Sequence, residues 1–256
     1  MLYWLLLALL LPFGRAFDDD VVQIVSSMSA KEKIGQMTQL DVVTIGTVVN
    51  GEFVVDQAQL EHYLADYYVG SFLNTPSSNP GPGGDSGLSC LNVTQWQKLL
   101  TTIQTAALNT GSKLPIIYGL DSVHGANYVR GATLLPQSIN LAATFNTRLA
   151  YEFGGIGAKD TRAVGIPWSF APILGIAVQP SWPRVFETFG EDPYLAAQMG
   201  ASVISGLQCI GGSNYSEAAQ AWPMDTAELR HRTLNDTTAR VNLHQPACVA
   251  ACMKHF

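Results

Sequence analysis

The chain has 256 residues, of which 47% are hydrophobic and 13% charged, and its formal net charge at pH 7 is −6. That length holds one large domain or two small ones, and the apolar composition excludes a disordered chain. A net negative charge without a run of Lys or Arg excludes the electrostatic footprint of a protein that binds nucleic acid or an anionic membrane surface. Four cysteines are too few for a disulfide scaffold.

The first segment has the pattern of a targeting signal. An apolar run at residues 2–11 is followed by small residues at Gly14 and Ala16, which predicts a secretory signal peptide of residues 1–16. The run is shorter than the ~20 residues of a membrane-spanning helix, and a buried N-terminal helix is the alternative interpretation. Three N-x-[ST] sequons agree with secretion and predict glycosylation at Asn92, Asn214 and Asn235.

Four helices are predicted from their start signals and from apolar residues at helical spacing. The start signals are the capping boxes Ser29/Glu32 and Thr94/Gln97, the cap Asn146, and the pair Asp192-Pro193. The predicted inward residues are, in the same order, Ile34 and Met37; Trp96, Leu99, Leu100, Ile103 and Ala107; Leu149, Phe153 and Ile156; and Leu195, Met199 and Val203.

Five short apolar runs between these helices predict strands, at residues 37–42, 70–73, 114–120, 168–174 and 246–253. Apolar runs that do not alternate with polar residues are typical of parallel strands buried on both faces. Strands that alternate with helices predict an α/β fold, either an open sheet or a barrel. No G-x-G-x-x-G follows any strand, so a dinucleotide-binding fold has no support.

Polar side chains follow the last three predicted strands. Asp121 and His124 come after the third strand, Arg184 lies beyond the fourth, and Lys254 and His255 follow the fifth. In α/β folds ligands bind beyond the carboxyl ends of the strands. A carboxylate, a guanidinium, an ammonium and an imidazole at one mouth would form directed hydrogen bonds to hydroxyl groups.

Each of these residues also has a simpler structural interpretation. Asp121 would cap the turn after its strand, Arg184 and Glu187 would form a structural ion pair, and residues 254–255 would be ordinary surface. His124 is favoured as a residue that supports the turn rather than as a ligand. A metal site made from the carboxylate and imidazole after the third strand lacks a third ligand at a recognisable spacing.

The order of the motifs resembles glycoside hydrolase family 3, the β-glucosidase-like exo-hydrolases. The resemblance covers residues 21–256 and is most like the lysosomal-type β-glucosidases, in which GIAVQP at 175–180 replaces an aspartate-rich stretch. The segments that carry it are GLDSVHG at 119–125, LPQ at 135–137, AATFN at 142–146, FAPIL at 170–174, RVFETFGEDP at 184–193 and AACMKHF at 250–256.

The resemblance implies that residues 17–256 form an incomplete (β/α)8 TIM-barrel-like N-terminal domain with about five of the eight strands. Its mouth would bind the terminal non-reducing β-D-glucosyl unit of a β-glucoside or β-glucan oligosaccharide, with no cofactor and no metal. The implied location is outside the cell after secretion, or the lumen of a lysosome or vacuole. No membrane contact is implied after the signal peptide is removed. By carry-over, the substrate-binding residues are Asp121, Arg184, Lys254 and His255.

The family places its nucleophile on a later barrel strand and its acid/base beyond the barrel. The resemblance therefore implies that both catalytic carboxylates lie downstream of Phe256, and no catalytic residue is expected among these 256 residues. Taken alone, they are expected to show no turnover. The alternatives are a secreted, non-catalytic glucose- or glucan-binding remnant and a fragment that does not fold.

The stretch 209–245 is longer than the family's usual connection and departs from its pattern. One interpretation is a glycosylated surface insertion, in which Cys209 would pair with Cys248. The other is mispredicted coding sequence.

Overall fold

The computed structural model describes residues 19–76, 91–210 and 247–255. The predicted signal peptide, two of the sequons and most of the predicted insertion lie outside these ranges. The helices within them are α1 (Asp19–Ser27), α2 (Ala30–Gln36), α3 (Gln57–Asp66), α4 (Val93–Asn109), α5 (Ser138–Ala142), α6 (Thr147–Ala163) and α7 (Pro193–Leu207). The strands are β1 (Gln39–Asp41), β2 (Gly46–Val49), β3 (Glu52–Val55), β4 (Ser71–Leu73), β5 (Leu91–Asn92), β6 (Ile117–Leu120), β7 (Val129–Arg130), β8 (Trp168–Ser169) and β9 (Ala250–Ala251).

The central sheet has five parallel strands in the order β1-β4-β6-β8-β9, so that chain order equals spatial order. Between them, α4 links β4 to β6, α5 and α6 link β6 to β8, and α7 links β8 to β9. This is the arrangement of consecutive strands in a (β/α)8 barrel. It confirms the predicted α/β class and the incomplete barrel of five strands.

All five predicted strands take part in this sheet, but most are shorter than predicted. The third begins at Ile117 rather than at 114, and the fourth ends at Ser169 rather than at 174. Prolines lie within both predicted runs, at Pro115 and Pro172, and proline has no amide hydrogen to donate to a strand ladder. None of the helices in the described ranges has the length and apolar character needed to span a bilayer.

The packing of α4 against the sheet agrees with the sequence pattern. All five of its predicted inward residues are buried. Trp96 packs edge-on against Tyr118 of β6, with ring centroids 5.7 Å apart, and its indole nitrogen donates to the carbonyl oxygen of Tyr128. Burial of an aromatic side chain with a partner for its polar atom fixes the helix on the sheet.

The predicted start of α4 is wrong by two residues. The capping box is formed by Asn92 and Gln95, because the Asn92 side chain accepts from the Gln95 amide at 2.9 Å and the Gln95 side chain accepts from the Asn92 amide at 3.0 Å. Thr94 and Gln97 lie inside the helix instead. The other predicted start signals, at Ser29, Asn146 and Asp192, cap helices as expected.

The predicted inward face of α2 is wrong. Ile34 and Met37 are 63% and 78% exposed, and the buried residue of this helix is Gly35. A Cβ atom on Gly35 would lie 2.1 Å from the carbonyl oxygen of Tyr67. The helix therefore presents its smallest residue to the neighbouring backbone, and its larger apolar residues lie outside that contact.

The predicted inward face of α6 is wrong in part, for the same reason. Phe153 is buried as predicted, but Leu149 and Ile156 are exposed. A Cβ on Gly154 would lie 2.3 Å from the Val203 carbonyl oxygen of α7. A Cβ on Gly206 of α7 would lie 2.1 Å from the Tyr151 carbonyl oxygen of α6. Glycines thus let the two backbones touch, and this close approach sets the buried face of α6. The predicted inward residues Met199 and Val203 of α7 are buried.

A disulfide between Cys209 and Cys248 joins the end of α7 to the start of β9, with Cα atoms 5.7 Å apart. The pairing suggested for the insertion is therefore confirmed. Cys252 is free and half-buried, and Cys90 lies outside the described residues.

The contact between α6 and α7 predicts opposite effects for two Gly→Ala substitutions. Gly206→Ala places a methyl group against the Tyr151 carbonyl, so we expect the free energy of unfolding to fall by about 1–3 kcal/mol. Gly155→Ala meets nothing within 4 Å, so we expect a gain of about 0.5–1 kcal/mol from helix propensity. Urea unfolding of both variants measures this. Equal effects in the two variants would contradict the close packing.

Candidate functional site

The structure brings two of the predicted site residues together at the carboxyl edge of the sheet. Asp121 directly follows β6, Lys254 follows β9, and the Lys254 ammonium donates to Oδ1 of Asp121. Since β6 and β9 both pair with β8, the ion pair spans the strand between them. The two side chains are 34% and 17% exposed, so the pair is accessible but partly shielded from water.

Lys254 is positioned by an extension of the pairing between β8 and β9. Its amide donates to the Pro172 carbonyl at 3.1 Å, and its own carbonyl accepts from the Leu174 amide. A bridge between Ile173 and Lys254 continues the parallel register beyond the two strands. The backbone that carries the ammonium is therefore held by the sheet rather than by a free loop.

An aromatic ring supports this ion pair from one side. The Lys254 ammonium lies 5.9 Å from the ring centroid of Phe170, and Trp168 packs edge-on against the same ring at 4.7 Å. A Cβ on Gly119 of β6 would lie 2.2 Å from the Phe170 ring, so only glycine leaves room for it. A cation over an aromatic face is attracted by the ring quadrupole. The sequence motifs do not indicate this role of Phe170, although a glycine inside a strand is a signal of close approach.

Arg184 is held by Glu187, three residues further along the chain. Its Nε and Nη2 atoms donate to the two carboxylate oxygens of Glu187, each at 2.6 Å. The Glu187 side chain is 13% exposed and that of Arg184 is 43% exposed. The structural ion pair that the sequence suggested is confirmed. It uses two of the five N–H donors of the guanidinium group.

The charges of the site act on one another. Hydrogen bonding to Arg184 lowers the pKa of Glu187, and the positive charges of Arg184 and Lys254 lower it further. His255 is exposed, and its pKa is lowered by slight desolvation and by the positive charges of Lys254 and Arg184. His255 is therefore neutral near pH 7, with one ring nitrogen that donates and one that accepts. The hydrogen bond to Glu187 raises the pKa of Arg184, and the negative charge of Asp121 adds to this effect. Arg184, Lys254 and His255 thus belong to one electrostatic neighbourhood with Asp121.

Two alternatives from the sequence are settled by contacts. The Nδ1 atom of His124 lies 2.9 Å from the carbonyl oxygen of Leu135, and it must donate because a carbonyl only accepts. His124 therefore supports the loop, as favoured from the sequence. Within the described residues the Asp121 side chain accepts from Lys254 rather than from a turn amide. Nowhere in residues 19–76, 91–210 or 247–255 do three His, Cys, Asp or Glu side chains form a group that could hold a metal ion.

The lowered pKa of Glu187 predicts a pH-dependent contribution to stability. Its carboxylate is stabilised in the folded state, so the contribution is fully present above the ordinary pKa of 4.5 and is lost as the pH falls through the lower folded value. Since Arg184 is substantially exposed, we expect Glu187→Gln to lower the unfolding free energy by only about 1 kcal/mol near pH 7. Chemical unfolding of the variant and the parent between pH 7 and pH 3 measures the difference. A difference that grows as the pH falls would contradict this.

Known proteins are similar to this chain over most of its length. Residues 29–256 match the family model described as Glycosyl hydrolase family 3 N terminal domain. The chain is 47% identical over 220 residues to the lysosomal beta glucosidase of Dictyostelium discoideum. This alignment covers 86% of the chain and 26% of the Dictyostelium protein.

Solved structures show the same similarity. An exo-1,3/1,4-beta-glucanase from a Pseudoalteromonas species aligns with a TM-score of 0.60 and 30% identity, over 77% of this chain and 23% of that one. A beta-glucosidase from Listeria innocua in complex with glucose aligns with a TM-score of 0.60 and 25% identity, over 93% of this chain and 26% of that one. The chain thus spans about a quarter of the length of these relatives.

Proposed function

The chain belongs to glycosyl hydrolase family 3, and on that premise we propose that it forms the sugar-binding part of a retaining β-glucosidase. The substrate class is the terminal non-reducing β-D-glucosyl unit of β-glucosides or β-glucan oligosaccharides. The protein would act on it outside the cell or in the lysosomal lumen. The observation that carries the proposal is the Asp121–Lys254 ion pair at the carboxyl edge of the sheet, with Arg184 and His255 in the same electrostatic neighbourhood.

The ion pair suits a sugar hydroxyl on chemical grounds. A hydroxyl group both donates and accepts, so it can donate to the Asp121 carboxylate and accept from the Lys254 ammonium at the same time. Hydrogen bonds with one charged partner are about twice as strong as neutral ones. Because the two side chains already neutralise each other, their partial burial does not leave an unpaired charge.

Arg184 and His255 extend this recognition to further hydroxyl groups. Glu187 holds the guanidinium plane of Arg184 through two hydrogen bonds, which reduces the freedom that the side chain loses when sugar binds. Neutral His255 donates or accepts as the hydroxyl requires. Trp182 is half-buried, in the loop that carries Arg184, and supplies an apolar ring face for the sugar.

Glu187 does not act as the acid of a glycosidase. A general acid that protonates a glycosidic oxygen near neutral pH needs a raised pKa, and the pKa of Glu187 is lowered by Arg184. The resemblance assigns both catalytic carboxylates to the part of the family fold beyond Phe256. We therefore expect these 256 residues on their own to bind sugar without hydrolysing it.

Glucose binding is testable by thermal unfolding of the 256-residue chain. A ligand that binds only the folded state adds about 2.7 kcal/mol of stability at a hundred times its Kd, so glucose should raise the melting temperature. Asp121→Asn should abolish the shift, whereas the control Asp66→Asn on α3, where Asp66 pairs with exposed His62, should retain it. No shift of the parent at high millimolar glucose would contradict the binding role.

Catalysis is testable in a polypeptide that also carries the downstream carboxylates. There we expect Asp121→Asn to lower kcat/KM for an aryl β-glucoside by about 10- to 150-fold, since each lost charged hydrogen bond is worth about 1.5–3 kcal/mol. The free energy of unfolding should fall by less than the free energy of transition-state binding, because the unpaired Lys254 ammonium is still partly exposed. Equal loss of activity and stability would show that Asp121 has only a structural role. Glucose binding without any hydrolysis in that longer polypeptide would favour the non-catalytic alternative.

A further inference from the structure

The start of α4 combines two features that the sugar site does not use. Asn92 is the cap of this helix, and its Oδ1 atom accepts from the Gln95 amide at 2.9 Å. Asn92 also begins the sequon Asn92-Val93-Thr94. The capping residue is half-buried, whereas Val93 and Thr94 are exposed.

The oxygen and the nitrogen of the Asn92 side-chain amide have different roles. The oxygen must be the atom that faces the Gln95 amide, because an N–H donor needs an acceptor. The backbone nitrogen of Asn92 donates to the Gln95 side chain at 3.0 Å, whereas the side-chain nitrogen Nδ2 makes no hydrogen bond within the described ranges. N-linked glycosylation modifies Nδ2 alone and leaves the oxygen available as an acceptor.

We propose that Asn92 is N-glycosylated and that its oxygen continues to cap α4 beneath the glycan. The co-reactant is a lipid-pyrophosphate-linked oligosaccharide. A C–N bond forms between the Asn92 amide nitrogen and the anomeric carbon of the donor, while the C–O bond to the pyrophosphate breaks. The pyrophosphate leaves with the electron pair, and the nitrogen gives up one of its two protons.

The proposal rests on passage through an oxidising lumen, and one contact supports that passage. The Cys209–Cys248 disulfide is of the kind that persists in secreted and luminal proteins and is rare in the cytosol. The position of Asn92 also suits a glycan, because it precedes the first turn of α4 and the two residues that follow it, Val93 and Thr94, are exposed. The partner of Asn92 in the short β5–β7 pair is the exposed Arg130.

Glycopeptide mapping tests the modification directly. The full chain is secreted from a eukaryotic host, digested, and its peptides are analysed by mass spectrometry, which does not depend on folding. We expect glycan on the peptide that contains Asn92. Thr94→Ala should remove it from that peptide only, and the matched control Thr94→Ser, which keeps the sequon, should retain it. An unmodified Asn92 overturns the proposal, whether the sequons at Asn214 and Asn235 are occupied or empty.

The capping role is tested among variants that all lack this glycan. Asn92→Asp and Thr94→Ala each keep an oxygen acceptor at the cap, so we expect their melting temperatures to agree closely. Asn92→Ala removes the acceptor and should melt about 2–4 °C lower. If Asn92→Asp melts as low as Asn92→Ala, the oxygen does not cap α4 and the dual role is wrong.

Discussion

The ion pair between Asp121 and Lys254 is the interaction on which the proposed site depends. It joins residues that are 133 positions apart in the chain and links the ends of β6 and β9 across β8. Its geometry requires the register of all three strands, because a slip of one residue would turn either side chain to the other face. It also requires Gly119, since any larger residue would displace the Phe170 ring that lies beside the ammonium.

Much of the fold could be predicted from the sequence because local signals and tertiary packing agree in it. The apolar runs contain the strands whose residues Phe72, Tyr118 and Leu120 are buried in the core, and α4 has a long apolar face that matches its buried residues. The predicted faces of α2 and α6 were wrong where packing depends on glycine. Hydrophobic spacing assumes that large apolar residues mark the contact, but at Gly35, Gly154 and Gly206 backbone meets backbone instead.

The candidate site was predictable in its residue types but not in its contacts. Asp121, Arg184, Lys254 and His255 follow strands that end at one edge, and that much is visible in the motifs. The partner of each charge is a tertiary property: Lys254 pairs with Asp121, and Arg184 pairs with Glu187. Phe170 was missed because its contact with the ammonium depends on the space left by a glycine on the neighbouring strand.

A double-mutant cycle on glucose binding tests the central claim most directly. Calorimetry would give the affinity of the parent chain, of Asp121→Asn, of Lys254→Gln and of the double variant. If one hydroxyl group bridges the two side chains, the losses are not additive, and the coupling energy exceeds about 0.5 kcal/mol. Losses that simply add, or affinities that do not change, would contradict a sugar site built on this ion pair.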